Sequence, residues 1–259
     1  MSKQPIGLFD SGVGGTSIWK EIHNLLPNEN TIYLADSKNA PYGLKGKDAI
    51  LQLSIKNTEY LISEHCKLIV VACNTATTNA IDYLRTHYKI PFIGIEPAIK
   101  PAALHTKNNA IGILATKGTL SSALFSKTST LFAKDIQVIE TVGEGIVDLI
   151  EMGKLDSSEM RDLLKIYLKP MIAANIDYLV LGCTHYPYLM PTLVDLLPNH
   201  VKIIDSGEAV ARQTKAVLEE QNLINTEFTH PKHKFYSNGN PKIMSELLGK
   251  HFDAKFLDF

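Results

Sequence analysis

VLGCTHYPYL, residues 180–189, opens on an apolar run and breaks abruptly into polar chemistry. Tyr178-Leu179-Val180-Leu181 reads as a buried strand that stops at Gly182, and Cys183, Thr184 and His185 follow at once. A counterpart lies at VVACNTATTN, residues 70–79, where Ile69-Val70-Val71-Ala72 is the strand and Cys73, Asn74 and Thr75 follow. Both stretches share one form: apolar strand, small residue, cysteine, then hydrogen-bonding side chains. Strands without polar alternation belong to parallel sheets covered by helices on both faces. Ligands of such sheets sit beyond the carboxyl ends of the strands.

Working outward, short β-rich runs alternate with helical patterns along the whole chain. Strands are predicted at Ile6–Phe9, Thr31–Ala35, Leu68–Ala72, Pro91–Gly94, Ala110–Ala115, Ile136–Thr141, Tyr178–Leu181, Val201–Ile204, Lys234–Ser237 and Lys255–Leu257. Helices are predicted between them, among them Gly15–Leu26, Lys47–His65, Thr75–Tyr88, Leu120–Leu131, Ser157–Ala174 and Glu208–Gln221. This alternation means βαβ units and a mainly parallel sheet. A second echo, LFDSG at 8–12 and IIDSG at 203–207, points with the first to two similar α/β halves, each offering a strand-end thiol. Two prolines near Glu96–Pro101 break the pattern and suggest a boundary there.

The bulk properties narrow the class. With 26 basic and 27 acidic residues the net charge is −1, and 45 % of the 259 residues are apolar. There is no basic excess to neutralise a phosphate backbone, which argues against nucleic acid as a partner. No apolar run approaches membrane-spanning length, and the first residues lack a signal-peptide core, so the expectation is a cytoplasmic protein that does not bind a membrane. Three cysteines are too few for a disulfide framework. Cys66, in EHCKL and without a polar strand-end context, reads as a small buried hydrophobe. Cys73 and Cys183 lie where a strand turns into a helix, and following N–H groups and the helix dipole are expected to stabilise a thiolate there. His185 is near enough in sequence to assist Cys183.

Other uses of these residues are open at this level. Cys-x-His with one distant Cys lacks the usual zinc spacing, so no metal is expected. A Cys-His nucleophile would leave Cys73 idle, and a redox pair would lack C-x-x-C. GVGGTS, residues 12–17, follows a strand and opens a helix, with Asp36 ending the next strand where a ribose-binding acid belongs. This dinucleotide-binding alternative is opposed by Ser17 at the third glycine position and by Asp10, which would repel a pyrophosphate. The glycines read instead as a tight turn bringing backbone N–H groups near a small anion such as a carboxylate.

Two thiols facing one cleft suit the removal of a proton from one face of a carbon and its return to the other, which inverts a stereocentre. The substrate would be a small carboxylic acid. Ser11, Asn74, Thr75, Thr184 and the backbone around Tyr42-Gly43 are candidate donors, and Asp10 is a candidate acceptor for an ammonium. The loop ADSKNAPYGLKG, residues 35–46, reads either as a plain surface loop or as a lid or binding loop.

FDSGVGG, DSKNAPYG, ACNTA and GCTHYP, in this order, resemble the glutamate racemases of the aspartate/glutamate racemase family. The likeness runs from Ile6 to about Asp205. It implies two similar parallel-sheet α/β domains facing each other across a substrate cleft. Residues 1–97 and 210–259 would form one, with the C-terminal segment returning to it, and 98–209 the other. It also implies interconversion of L- and D-glutamate without a cofactor, for peptidoglycan synthesis, in an enzyme that is commonly a homodimer. Cys73 and Cys183 would be the two proton donors and acceptors, the first acting on the D- and the second on the L-substrate. Asp10 and His185 would assist them, with Glu151 in DLIEMG as a further acidic residue near the site. Asp10, Ser11, Tyr42, Gly43, Asn74, Thr75, Thr184 and His185 would contact substrate. Related two-cysteine enzymes act on aspartate or hydantoins.

Overall fold

A computed structural model describes residues 2–227 and 230–259. The chain begins β1 (Ile6–Asp10), α1 (Thr16–Leu25), β2 (Thr31–Ala35), α2 (Lys47–Ser63), β3 (Leu68–Val71), α3 (Asn74–His87) and β4 (Phe92–Gly94). It continues with α4 (Ile99–His105), β5 (Ala110–Ala115), α5 (Lys117–Leu120), α6 (Ala123–Phe132), β6 (Gln137–Val142), α7 (Ile146–Glu151), α8 (Ser158–Ala173), β7 (Tyr178–Gly182), α9 (Met190–Leu196) and β8 (Lys202–Ile204). Then α10 (Gly207–Glu220), β9 (His233–Ser237), α11 (Pro241–Leu248) and β10 (Ala254–Phe256) follow.

The strands form two parallel sheets, one per domain. The first has the order β10-β9-β2-β1-β3-β4, the second β6-β5-β7-β8. Within each, the first four strands of the unit follow the same path: the chain goes from the first strand to one neighbour, then crosses to the other side. Crevices at such reversals are where α/β sheets bind ligands. The reversals fall between β1 and β3 and between β5 and β7. Cys73 follows β3 and Cys183 follows β7, so the two thiols hold equivalent places. The Asp-Ser-Gly echo does not: Asp10 ends β1, whereas Asp205 follows β8, the counterpart of β4. Asp205 has a local role, accepting the Gly207 N–H at 2.6 Å at the head of α10.

Alternate residues of the central strands feed opposite faces. Ile6, Leu8, Leu68 and Val70 join a core that continues into the second domain through Ile146, Leu179 and Tyr186. Phe9, Ile69 and Val71 pack under α2 and α3, and Ile111, Ile113 and Val180 under α4 and α6. Being covered on both sides makes these strands continuously apolar. Cys66 is buried under α2, beside Leu61 and Ile69, as expected for a core thiol.

Between the two sheets α4 begins at Ile99, with Pro101 in its first turn, where a missing N–H costs no intrahelical bond. One helical feature differs from expectation. The helix predicted over Leu120–Leu131 is two helices. Thr116 caps α5 by accepting the Thr119 N–H, and Ser122 starts α6 afresh by accepting the Phe125 N–H.

Candidate active site

Cys73 is the residue that caps α3, its sulfur accepting the Ala76 N–H at 3.4 Å. Its thiol points to Ser11 Oγ at 3.7 Å, just past the end of β1. Here the expected effect of a helix N-terminus is present but outweighed. Burial, followed by the negative charge of Asp10, pushes the Cys73 thiol well above its ordinary value, and the N–H donors of Ala76 and Ser11 do not reverse this. Asp10 is itself fully buried. Burial raises its pKa, against the opposing pull of the His185 charge and the Gly15 N–H. Its Oδ2 accepts from Gly15 N–H at 2.7 Å and from the Thr184 hydroxyl at 3.3 Å, and Oδ1 accepts from Ser11 Oγ at 3.4 Å.

Cys183 has a different partner. His185, two residues on, places Nδ1 3.8 Å from its sulfur. The other ring nitrogen, Nε2, lies 2.7 Å from Glu151 Oε1. Burial alone would lower the imidazole pKa, but hydrogen bonds to Cys183 and Glu151 and their charges outweigh it and hold His185 well above its ordinary value. This favours the imidazolium, with one N–H toward Cys183 and one toward Glu151. The Gly14 N–H also approaches Nε2, at 3.2 Å, but a nitrogen that carries a proton for Glu151 has no lone pair for it.

The GVGGTS turn explains itself at this point. A Cβ on Gly12 would lie 1.9 Å from Glu151 Oε1, and one on Gly14 would lie 2.2 Å from His185 Nδ1. The turn does bring its N–H groups to carboxylates, but these are the protein's own. Val13 N–H donates to Glu151 Oε1 at 2.6 Å and Gly15 N–H to Asp10. The Glu151 carboxylate and the His185 ring fill the space over the turn, and the two carboxylates bound there would repel a pyrophosphate. Asp36 is likewise occupied, accepting from Asn39 Nδ2 at 2.8 Å and from the Tyr42 hydroxyl, with no exposure left for a ribose. The dinucleotide alternative is excluded on this geometry.

Both thiols line one narrow cavity between the domains. The first domain contributes Ser11, Pro41, Tyr42, Gly43, Cys73, Asn74 and Thr75, the second Thr116, Val147, Cys183, Thr184 and His185. Asn74 is the informative wall residue: both its amide atoms are buried without a hydrogen-bond partner among the described residues. An orphaned buried amide costs stability unless a ligand supplies the missing bonds. Tyr42 lines the cavity while its ring is buried with Ile50 and Phe9, its hydroxyl given to Asp36. The 35–46 segment thus brings Pro41, Tyr42 and Gly43 into the cavity wall, with two short 3₁₀ turns and a buried Tyr42-Gly43.

Thr116, Thr119 and Val147 were not legible as site residues. Thr75, Thr116 and Thr119 form a cluster of hydroxyls across the domain junction, 2.8 to 3.4 Å apart. Thr116 follows β5 directly, so the strand-end rule that found the cysteines applies to it as well. Val147 carries no polar signal. A second cavity, of about 120 Å³, shares Pro41, Gly43, Thr116 and Val147 with the first and adds Leu44, Lys117, Glu144 and Asp148.

Among the described residues, no three His, Cys, Asp or Glu side chains form a metal-binding group, and no helix is long and apolar enough to cross a membrane.

A pair of parallel α/β sheets enclosing one cavity at their strand ends is the frame of a two-domain α/β enzyme. The chain belongs to the Asp/Glu/Hydantoin racemase family, which it matches over residues 6–214, and is an amino-acid racemase. Among individual relatives, it is 44 % identical over 247 residues to a glutamate racemase of Herpetosiphon aurantiacus, covering 95 % of this chain and 97 % of the relative. The crystal structure of glutamate racemase from Francisella tularensis, in complex with D-glutamate, superposes with a TM-score of 0.84 at 28 % identity, covering 100 % of this chain and 98 % of that one. The Escherichia coli glutamate racemase, in complex with L-glutamate and the activator UDP-MurNAc-ala, gives 0.84 at 34 % identity over 95 % and 94 %.

Proposed function

We propose that the protein interconverts L- and D-glutamate by proton transfer between Cα and two cysteines, without a cofactor, supplying D-glutamate for peptidoglycan. The observation that carries the mechanism is that Cys73 and Cys183 line one cavity from opposite domains, Cys73 linked to Asp10 through the Ser11 hydroxyl and Cys183 directly to His185. The choice of glutamate rests on the named relatives and on the complexes with both enantiomers.

In the L-to-D direction Cys183 takes the Cα proton. The C–H bonding pair passes to Cα and into the carboxylate, and the S–H proton of Cys73 is delivered to the opposite face. In the reverse direction the roles exchange. The upward shift at Cys73 suits a thiol that gives its proton late, with Asp10 beside it as acceptor and donor. On the other side the His185 imidazolium donates Nδ1–H toward the Cys183 sulfur, which supports the thiolate that takes the Cα proton. Asn74, Thr75, Thr184 and Ser11 offer donors to substrate carboxylates, which stabilises the charge that builds up as Cα loses its proton. Glu151 reaches His185 rather than the cavity and holds the imidazolium.

The test is incubation with L-glutamate in heavy water, with no additive, followed by chiral separation and a deuterium readout at Cα. D-glutamate carrying Cα deuterium is expected. D-aspartate from L-aspartate, with glutamate unchanged, would reassign the substrate; no exchange with either would overturn the reading.

A further inference from the structure

Glu151 stands on α7 in the second domain, yet both its oxygens are tied to the first. Oε1 accepts from Val13 N–H at 2.6 Å as well as from His185, and Oε2 accepts from the Ser37 hydroxyl at 2.8 Å. Ser37 lies at the head of the loop whose Pro41, Tyr42 and Gly43 line the cavity, but it does not line the cavity itself. It is braced from behind. Asn238, just past β9, takes the Lys38 N–H on Oδ1 at 2.9 Å and gives its amide hydrogens to Asp36. Gly239 approaches so closely that a Cβ there would lie 2.8 Å from Ser37 Cβ. The Glu151 side chain is 15 % exposed, so a carboxylate without its Ser37 contact has water to turn toward.

We propose that Ser37 is a positioning residue that seats Glu151 against His185, and so ties the closure of the substrate loop to the partner of Cys183. One hydrogen bond then reports the loop's position to the proton-transfer group on the other domain. When the loop lifts, Glu151 loses a donor that fixes its direction, and the imidazolium loses a well-aligned counter-charge. The inference rests on the racemase reading for its kinetic consequence, not for its geometry.

The test uses the full chain with Ser37→Ala and Ser37→Thr. Loss of one hydrogen bond to a charged group is worth roughly tenfold in kcat, with KM for glutamate little changed because Ser37 is outside the cavity. The form in use is the imidazolium, so activity falls as pH rises through the His185 pKa. In Ser37→Ala that basic limb moves to lower pH, and Ser37→Thr, which keeps the hydroxyl, restores both kcat and the limb. A Ser37→Ala enzyme with an unshifted limb overturns the proposal, whether or not kcat falls. If the wild type fails to racemise glutamate, the racemase reading fails instead. The proposal is then decided by NMR titration of the His185 ring, whose midpoint falls in Ser37→Ala if Ser37 seats Glu151 and is unchanged if it does not.

Discussion

Asp10 and His185, the partners of the two thiols, face each other at 4.0 Å between Oδ2 and Nδ1. One ends β1 of the first domain and the other follows β7 of the second, so the contact spans the junction that encloses the cavity. Each thiol thus has a distinct partner, acidic at Cys73 and basic at Cys183, and the two partners stabilise each other's charge. The opposed thiols are chemically unlike even though their places in the two sheets match.

Replacement of either thiol tests the two-base proposal. Cys73→Ala and Cys183→Ala are expected to lower kcat/KM by about 10³-fold or more, since each removes a general acid–base group. The enantiomers have equal free energy, so kcat/KM for any variant falls equally in both directions, while kcat and KM need not. Cys66→Ala is the control. Its thiol is pushed up to about 12 by burial and lies in the core. Turnover should hold and the melting temperature should fall. Chiral turnover assays and thermal melts on the three variants check this.

Asp10→Asn should separate stability from activity. Burial holds the Asp10 pKa above its ordinary 3.8, so the folded state binds this proton more tightly than the unfolded chain does. The associated stability is fully present below about pH 3.8 and is lost as pH rises through the folded value. At neutral pH the ionised group works against folding. The amide removes that cost and still accepts from Gly15, so the variant should melt at a higher temperature at pH 7, with turnover reduced by about 10²-fold. A lower melting temperature would show that the charge itself is needed.

Acid should loosen the far side of the first domain before the site. His233 is packed edge-on against Trp19 and Phe252 and beside His23. Burial, then the His23 charge, lowers its pKa from 6.5 to about 4. A depressed value means that the unfolded chain takes the proton first. The contribution is present in full above about pH 6.5 and is lost as pH falls toward about 4. The charged group facing this imidazole is His23, itself lowered by burial. His233→Asn should flatten the decline in melting temperature between pH 6.5 and 4.5, measured by circular dichroism.

Lys67 and Glu29 form a buried ion pair distant from the cavity. Lys67 Nζ donates to Glu29 Oε2 at 2.5 Å and to Leu223 O at 2.8 Å, and Glu29 Oε1 accepts the Asn225 N–H at 2.7 Å. The pair pins the foot of β3 to the strand connection that leads to β9. Lys67→Ala leaves a buried carboxylate unpaired, and roughly 3–5 kcal/mol of stability should be lost. Urea denaturation measures it, with activity per folded molecule unchanged.

The strands and the two thiols could be read in the sequence because their signals are local. Burial on both faces makes Leu68–Val71 and Tyr178–Gly182 apolar throughout, and a cysteine directly after such a run is conspicuous. What was not legible arises from pairs far apart in sequence. The carboxylate at the GVGGTS turn is Glu151, 138 residues from Val13. The direction of the Cys73 shift depends on Asp10, brought alongside by the pairing of β1 with β3. Glu151 itself came only from the resemblance, since DLIEMG has nothing in its spacing to mark it. The break between α5 and α6 was local and still missed, because Ser122 is one serine among several in that segment.

The bracing of Ser37 by Asn238 bears on the order in which the molecule is made. Domains emerge from the ribosome N-terminal part first. A nascent chain can already hold both cysteines, His185 and Glu151 while residues 233–256, which supply β9 and β10, are still to be synthesised. The strands that fix the loop 36–43 thus arrive after every side chain they help to position, and the edge of β2 has no neighbour until they do. A chain released before residue 233 carries both strand-end sulfurs on an unfinished scaffold.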